Sequence, residues 1–275
     1  MTTTLADQAS YPDLKGKSAV VTGGSTGIGR AIVEALCKQG VSVTFSGISD
    51  GGVATEKELC AAGFAVEFVR GDMAEESFCR HLVAQATHRW GRLDILVNNA
   101  FSFIAKGADA TREEWIRMMA VGPIGYATMA QCALEPMKIQ GGGSIINMSS
   151  ISAHIAQPGR WTYNGGKGAV NQLTRCIALD FAPYKIRVNT VSPGWIWTRE
   201  VDKAAGGDRA KWEPVWGKYH MLRRLGYVDE VAAPVVFLCS QGASFITAAE
   251  LMVDGGYAGI GSEGLGESST FAGSL

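Results

Sequence analysis

The sequence predicts an α/β fold: a Rossmann-like, doubly wound, mostly parallel seven-stranded sheet with helices on both faces, in a single domain over residues 1–275. Three observations carry this prediction. Seven short apolar, β-rich runs alternate with segments long enough for a helical crossover. The runs lack strict two-residue alternation, as strands covered on both faces do. The first run breaks into a glycine turn that opens an amphipathic helix. With 47% hydrophobic and 19% charged residues the chain can bury a core, which excludes the disordered and coiled-coil classes.

The elements follow in order. Residues 18–22 (SAVVT) read as the first strand and run into Gly23, Gly24, Gly27 and Gly29, after which Ile28, Ile32, Ala35 and Leu36 recur at helical spacing. Further strands are expected at 41–45 (VSVTF), 65–69 (AVEFV), 94–98 (DILVN), 144–148 (SIINM), 186–191 (IRVNTV) and 250–253 (ELMV). No composition shift divides the chain, and no internal repeat is visible. Residues 195–225 interrupt the alternation and are too long for an ordinary connection, so an irregular substrate lid is expected there. The Gly/Ser-rich tail after Tyr257 is expected to be mobile unless it docks on a partner subunit.

With 25 basic and 26 acidic residues the net charge is −1, so the chain has no global field for a nucleic acid or an acidic membrane surface, and any phosphate must be held locally. No run approaches the ~18 apolar residues of a membrane span, and the first residues lack the basic-then-apolar order of a secretion signal, so a cytoplasmic protein is expected. The six cysteines form no CxxC pair and the four histidines no HExxH spacing. No metal is expected, and the thiols read as scattered and buried in a reducing compartment.

Two constellations carry chemistry. The turn TGGSTGIG at 22–29 places small residues where a diphosphate must approach the backbone, and the helix after it offers unpaired N–H groups and a positive dipole end. Its spacing, Gly23, Gly27 and Gly29, differs from GxGxxG. Further on, Tyr163 and Lys167 are four residues apart in a segment whose stripe Val170, Leu173, Ile177 and Phe181 marks a helix, so both project from one face. A free phenol, with a pKa of about 10, is almost wholly protonated at neutral pH, and a nearby ammonium favours its ionised form. Ser149 and Ser150 close the fifth expected strand, at the edge where ligands collect, and a serine there can hold a substrate oxygen while the phenol exchanges a proton.

In these pieces the chain resembles the short-chain dehydrogenase/reductase family in its compact single-domain form, from about residue 14 to 257. The likeness rests on TGGSTGIG at 22–29, Asp72 after the third strand, NNA at 98–100, NMSS at 147–150, YNGGK at 163–167, NTVSPGWIWT at 189–198 and VDGG at 253–256. The resemblance implies that Gly23, Ser25, Thr26, Gly27, Ile28 and Gly29 surround a cofactor pyrophosphate. It places Asp72 and Met73 at the adenine, and Asn98, Asn99 and Ala100 along the ribose side. Pro193, Gly194, Ile196 and Thr198 would border the nicotinamide. By the same resemblance Ser150 polarises the substrate oxygen and Tyr163 is the general acid or base. Lys167 binds the nicotinamide ribose and lowers the phenol pKa. The implied activity is interconversion of a secondary alcohol and a ketone by hydride transfer, in a homotetramer or homodimer.

Two positions depart from the family pattern. Where the family has an asparagine in the fourth helix this chain has Gly122, followed by Pro123, a pair expected to rebuild a kink and leave the Gly122 carbonyl for a relay water. Where the family's NNAG has glycine stands Phe101, whose ring either narrows the site or points into the core. For the cofactor, Ser46, Gly47 and Ile48 at the end of the second strand offer neither an acidic group for a ribose nor a cation for a 2′-phosphate. NAD is therefore favoured over NADP. Trp161, Trp195, Trp197, Trp212 and Trp216 cluster between the catalytic helix and the end of the lid and point to the substrate pocket, with His154, Gln157, Arg160 and Arg199 as polar contacts. A sugar or sugar acid is the expected substrate, a hydrophobic ketone its rival. A sugar-nucleotide epimerase shares the Tyr/Lys chemistry but usually needs a longer chain. A dinucleotide-binding regulator without catalysis is the alternative from another class, favoured by Gly122 and opposed by Ser150, Tyr163 and Lys167.

Overall fold

Complete burial explains the strand composition: all four residues of β1 (Ser18–Val21) and of β4 (Ile95–Asn98) are shielded from solvent, so apolar and β-branched side chains face both ways. The computed structural model describes residues 9–261 and residue 264. Its other strands are β2 (Ser42–Gly47), β3 (Val66–Arg70), β5 (Gly143–Met148), β6 (Ile186–Pro193) and β7 (Glu250–Val253), each within two residues of its expected bounds. They form one parallel sheet of order β3-β2-β1-β4-β5-β6-β7. The expected mostly parallel, doubly wound sheet is thus the observed one.

Helices cover both faces. On one side α1 (Gly27–Lys38) and α9 (Val228–Cys239) pack together over β1, β2 and β6, burying Ile32, Leu36, Phe45, Val191 and Val235. On the other, α3 (Glu76–Trp90), α5 (Gly125–Ile139) and α6 (Trp161–Phe181) enclose Leu82, Leu96, Met129, Ile145 and Val188. The stripe Val170, Ile177 and Phe181 of α6 faces the sheet as its spacing requires. At the sheet margin α2 (Gly51–Ala61) lies against β3, and a methyl on Gly52 would enter the Phe68 ring at 2.1 Å, so the close approach demands glycine there. No helix among the described residues is long and apolar enough to cross a membrane.

Two expectations change. Residues 195–225 are not irregular: they hold α7 (Arg199–Ala204), capped by Thr198, and α8 (Arg209–Gly217), capped by Asp208 and braced by the Arg209–Glu213 pair one turn apart. The tail after Tyr257 is described only through residue 261 and at residue 264, so most of that expectation lies outside the described residues. Of the thiols, Cys37, Cys79 and Cys239 are buried, whereas Cys60 and Cys176 are exposed, which corrects the view of them as uniformly buried.

Between α4 (Arg112–Met119) and α5 the chain passes through a wide π turn at Ala120–Ile124, where Gly122 leaves helical geometry at ψ −110. The expected kink is present, and its cause is the pair Gly122-Pro123.

Candidate active site

Because every strand runs the same way, all seven carboxyl ends line one edge, and the winding reverses between β1 and β4. Ligands in such sheets collect outside that reversal. The glycine turn sits there, with Gly23 and Gly27 at φ +67 and +57, where a side chain would be strained. Thr22 Oγ1 accepts the N–H groups of Asn99 at 2.9 Å and Ala100 at 3.0 Å, while Asn99 Nδ2 donates to the carbonyls of Thr22 and Gly23, both at 3.0 Å. These bonds stitch the ends of β1 and β4 together. A Cβ on Gly29 would lie 2.1 Å from the Gly23 oxygen, and one on Gly27 would find only Thr198, at 3.8 Å across the cleft. Among the described residues, buried Ser25 Oγ has no hydrogen-bond partner. An orphaned hydroxyl, a backbone laid open by glycine and the amino end of α1 fit the pyrophosphate of a dinucleotide.

At the end of β5, Ser150 begins a short 3₁₀ turn and its Oγ accepts the Ser152 N–H at 3.2 Å, which leaves the hydroxyl proton to be donated elsewhere. That hydroxyl lies near the phenol of Tyr163 and favours its ionised form. Polar pins hold α6 in place: Ser149 Oγ donates to the Lys167 carbonyl at 3.1 Å, and Asn147 Nδ2 to Thr174 Oγ1 at 2.9 Å. Lys167 is buried, and its Nζ donates to the Met148 carbonyl at 2.8 Å. Ser150, Tyr163 and Lys167 are therefore brought together at the carboxyl edge.

The electrostatics differ from expectation in one respect. Burial pushes the Tyr163 phenol above its usual value, against the opposing pull of the Ser150 hydroxyl and the Arg160 charge. The ammonium itself is the strained group: burial alone pushes Lys167 down to about 7. A cation that is easily discharged is a weak stabiliser of a phenolate.

Several residues singled out from sequence have other engagements. Asn98, completely buried, donates to Asn147 Oδ1 at 2.9 Å and is a core pin, and Asn99 spends its amide on the glycine turn. Asp72 accepts from Arg117 at 2.7 Å and from the Ala74 N–H at 2.9 Å. Met73 is buried, facing the Ser46 hydroxyl. His154 is committed to Glu250 at 2.7 Å, at the start of β7, and Gln157 accepts from Ser152 Oγ at 2.7 Å. Trp161 is exposed. The tryptophans of residues 195–216 pack on one another: Trp216 meets Trp212, Trp195 and Trp197 with ring centres 5.0, 5.5 and 6.3 Å apart. Their faces are partly spent on each other, so the cluster as a whole does not face substrate. Arg160 does reach the site, lying over Phe103, whose ring in turn meets Tyr163 edge-on at 4.9 Å.

Beyond Pro193, the Gly194 N–H bonds the Val253 carbonyl at 3.0 Å, and buried Ile196 bridges to Gly226, which leads the chain to Thr198 opposite the glycine turn. Residues that sequence reasoning missed are Thr22, whose hydroxyl organises the turn, and Met148, whose carbonyl receives the lysine. The second acts through its backbone and leaves no signal in its side chain. The carbonyl of Gly122, expected to serve a water, also receives the Gly125 N–H, so one of its two lone pairs is engaged.

An α/β sheet with a glycine turn at its switch point and a Ser/Tyr/Lys cluster beside it defines a nicotinamide-dependent oxidoreductase. The family model described as enoyl-(acyl carrier protein) reductase matches residues 23–258. The chain is 39% identical to L-fucose dehydrogenase of Mus musculus, covering 90% of each chain. It is 35% identical to an NADP-dependent (R)-specific alcohol dehydrogenase of Lentilactobacillus kefiri, over 89% of this chain and 97% of that one. The ligand-free structure of Thermoplasma acidophilum aldohexose dehydrogenase superimposes with a TM-score of 0.83 at 33% identity, covering 92% of this chain and 98% of that one. The chain belongs to the short-chain dehydrogenase/reductase family and is an NAD(P)-dependent oxidoreductase.

Proposed function

We propose that this enzyme oxidises a secondary alcohol of a sugar or sugar-like polar substrate to the ketone, with NAD as the preferred cofactor and Tyr163 as the general base. The observation that carries the reading is the cluster of Ser150, Tyr163 and buried Lys167, the Lys167 Nζ 5.8 Å from the Tyr163 ring centre, at the carboxyl edge of the sheet where Gly27 also faces Thr198. When bound, the nicotinamide accepts the hydride. Ser150, its lone pair held by the Ser152 N–H, donates to the substrate oxygen, and Tyr163 takes the hydroxyl proton. Gly23, Ser25, Thr26, Gly27, Ile28 and Gly29 would hold the pyrophosphate, and Pro193, Gly194, Ile196 and Thr198 would border the nicotinamide. Arg160 stands beside Tyr163, suited to a substrate hydroxyl or carboxylate.

Cofactor choice follows from the end of β2. Ile48 there is exposed, and the cations nearby are already paired: Arg70 with Asp50 at 2.6 Å and with the Ile48 carbonyl at 3.3 Å, Arg30 with Glu34 and Glu58. A 2′-phosphate would have to break one of these pairs, whereas a ribose hydroxyl need not. The L-fucose and aldohexose dehydrogenases among the similar proteins support the polar substrate. The test is a panel of L-fucose, aldohexoses, sugar acids, cyclohexanols and hydroxysteroids, each with NAD and with NADP, followed by cofactor reduction. Turnover of sugars with a higher kcat/KM for NAD is expected. Turnover confined to hydroxysteroids, or a strong NADP preference, overturns the corresponding half of the proposal.

We further propose a cytoplasmic homodimer or homotetramer that uses the β7 margin and the outer faces of α5 and α6, where Leu251, Ile139 and Leu179 are exposed. Light scattering should give a multiple of the 29.1 kDa chain mass in the soluble fraction; a monomer, or recovery with membranes, would contradict it.

A further inference from the structure

The two positions that depart from the family pattern meet in space. A Cβ built on Gly122 would lie 2.5 Å from Phe101 Cε2 and 2.9 Å from its Cζ, so the ring fills the notch that Gly122 leaves. Gly166 opens the other side, its absent Cβ 3.2 Å from the same Cζ. Seated there, Phe101 meets Tyr163 and Tyr126 edge-on, with ring centres 5.6 and 6.1 Å away and interplanar angles of 84° and 79°. Its centre lies 3.7 Å from Lys167 Nζ. The ring therefore neither lines an open pocket nor retreats into the apolar core; it packs inside the catalytic cluster.

A buried ammonium needs partners for its three N–H groups. Here one goes to the Met148 carbonyl at 2.8 Å, and among the described residues no carboxylate pairs with it. The titratable groups facing it are phenols: Tyr163, whose ring centre is 5.8 Å from Nζ, and Tyr126, whose hydroxyl shares the Met148 carbonyl. The face of an aromatic ring carries negative quadrupole density, attracts a cation, and cannot accept its proton.

We propose that Phe101, seated in the notch left by Gly122, is a positioning residue that holds the Lys167 ammonium on its ring face beside the catalytic tyrosine, so that the two departures are one coupled device. The proposal rests on the reading of Lys167 as part of the active site, but its test does not require turnover. Burial has already brought Lys167 to about 7, so a small change in its surroundings alters its charge at neutral pH.

The experiment has two arms on the full-length chain. In the first, the protein is labelled with carbon-13 at the lysine ε position, and the Lys167 resonance, assigned by its loss in Lys167→Met, is followed against pH. Phe101→Leu keeps bulk and removes the ring face, and should lower the titration midpoint by about one pH unit. Phe101→Tyr keeps the face and should leave the midpoint in place. A Phe101→Leu midpoint equal to that of the unchanged protein, or a Phe101→Tyr midpoint that falls with it, overturns the ammonium seat. In the second arm, urea denaturation compares Gly122→Asn, Phe101→Gly and the double variant. Relief of the clash predicts that the double variant loses less stability than the two single losses added together; simple additivity overturns the coupling. Failure of either arm concerns Phe101 alone, whereas inactivity on the whole substrate panel concerns the proposed function.

Discussion

Tyr163→Phe is expected to lower turnover by about 10²–10⁴-fold while changing dinucleotide affinity by no more than about threefold. The substitution keeps the ring, and with it the edge-on contacts to Phe101 and Phe103, so the cluster's packing survives. What disappears is the hydroxyl beside Ser150, and with it the proposed proton acceptor for the alcohol. Steady-state kinetics on a substrate from the panel, beside a fluorescence titration with reduced cofactor, separates the two quantities. Unchanged turnover would remove Tyr163 from the chemistry and revive the non-catalytic dinucleotide-binding alternative. The pH dependence has a definite sign. Alcohol oxidation needs the phenol ionised, and burial raises its pKa, so kcat/KM for oxidation should climb as pH rises through the neutral range towards that raised value. Ketone reduction needs the protonated phenol and should not climb with it.

Gly29→Ala is expected to cost about 2–4 kcal/mol of stability and to weaken dinucleotide binding at least tenfold, on the order of other overpacked buried positions and lost anion contacts. A methyl at this position would stand 2.1 Å from the Gly23 carbonyl oxygen and 2.5 Å from Asn99 Nδ2. Neither neighbour can yield cheaply. The first is backbone of the turn itself, and the second is held by its bonds to the Thr22 and Gly23 carbonyls. Relief of the clash must therefore shift the turn away from β4, and with it the N–H groups aimed at the pyrophosphate. Gly63→Ala is the control. It has a positive φ of +85 but nothing within 4 Å of its added carbon, so it should cost about 1 kcal/mol through backbone strain and leave cofactor affinity intact. Urea denaturation and the cofactor titration measure both effects. If Gly29→Ala bound the dinucleotide with full affinity, the assignment of the turn to the pyrophosphate would fail.

How much of the molecule was legible beforehand depends on the range over which each feature is encoded. The strands show in short apolar runs because a buried parallel strand leaves no polar face to break the run. The pairing of Tyr163 with Lys167 shows in their spacing because one helix turn brings residues four apart together. Helices α7 and α8 are not legible. Their stability comes from caps at Thr198 and Asp208, an ion pair one turn apart and tryptophans that stack on one another, and only the last of these leaves a visible trace, which reads as a pocket. His154 reads from sequence as a polar contact for substrate, yet its partner Glu250 lies 96 residues further along the chain.

By itself the sequence determined the parallel sheet, the place of the glycine turn at its switch point and the sharing of one helix by Tyr163 and Lys167, because each of these depends on local periodicity or on chain order. Tertiary structure alone decided that Phe101 enters the notch at Gly122, that Lys167 sits on its face without a carboxylate, and that Asn98 and Asn99 serve the scaffold. Those outcomes turn on distances between side chains from different crossovers, and on how far burial shifts a charge; neither is written in any stretch of neighbouring residues.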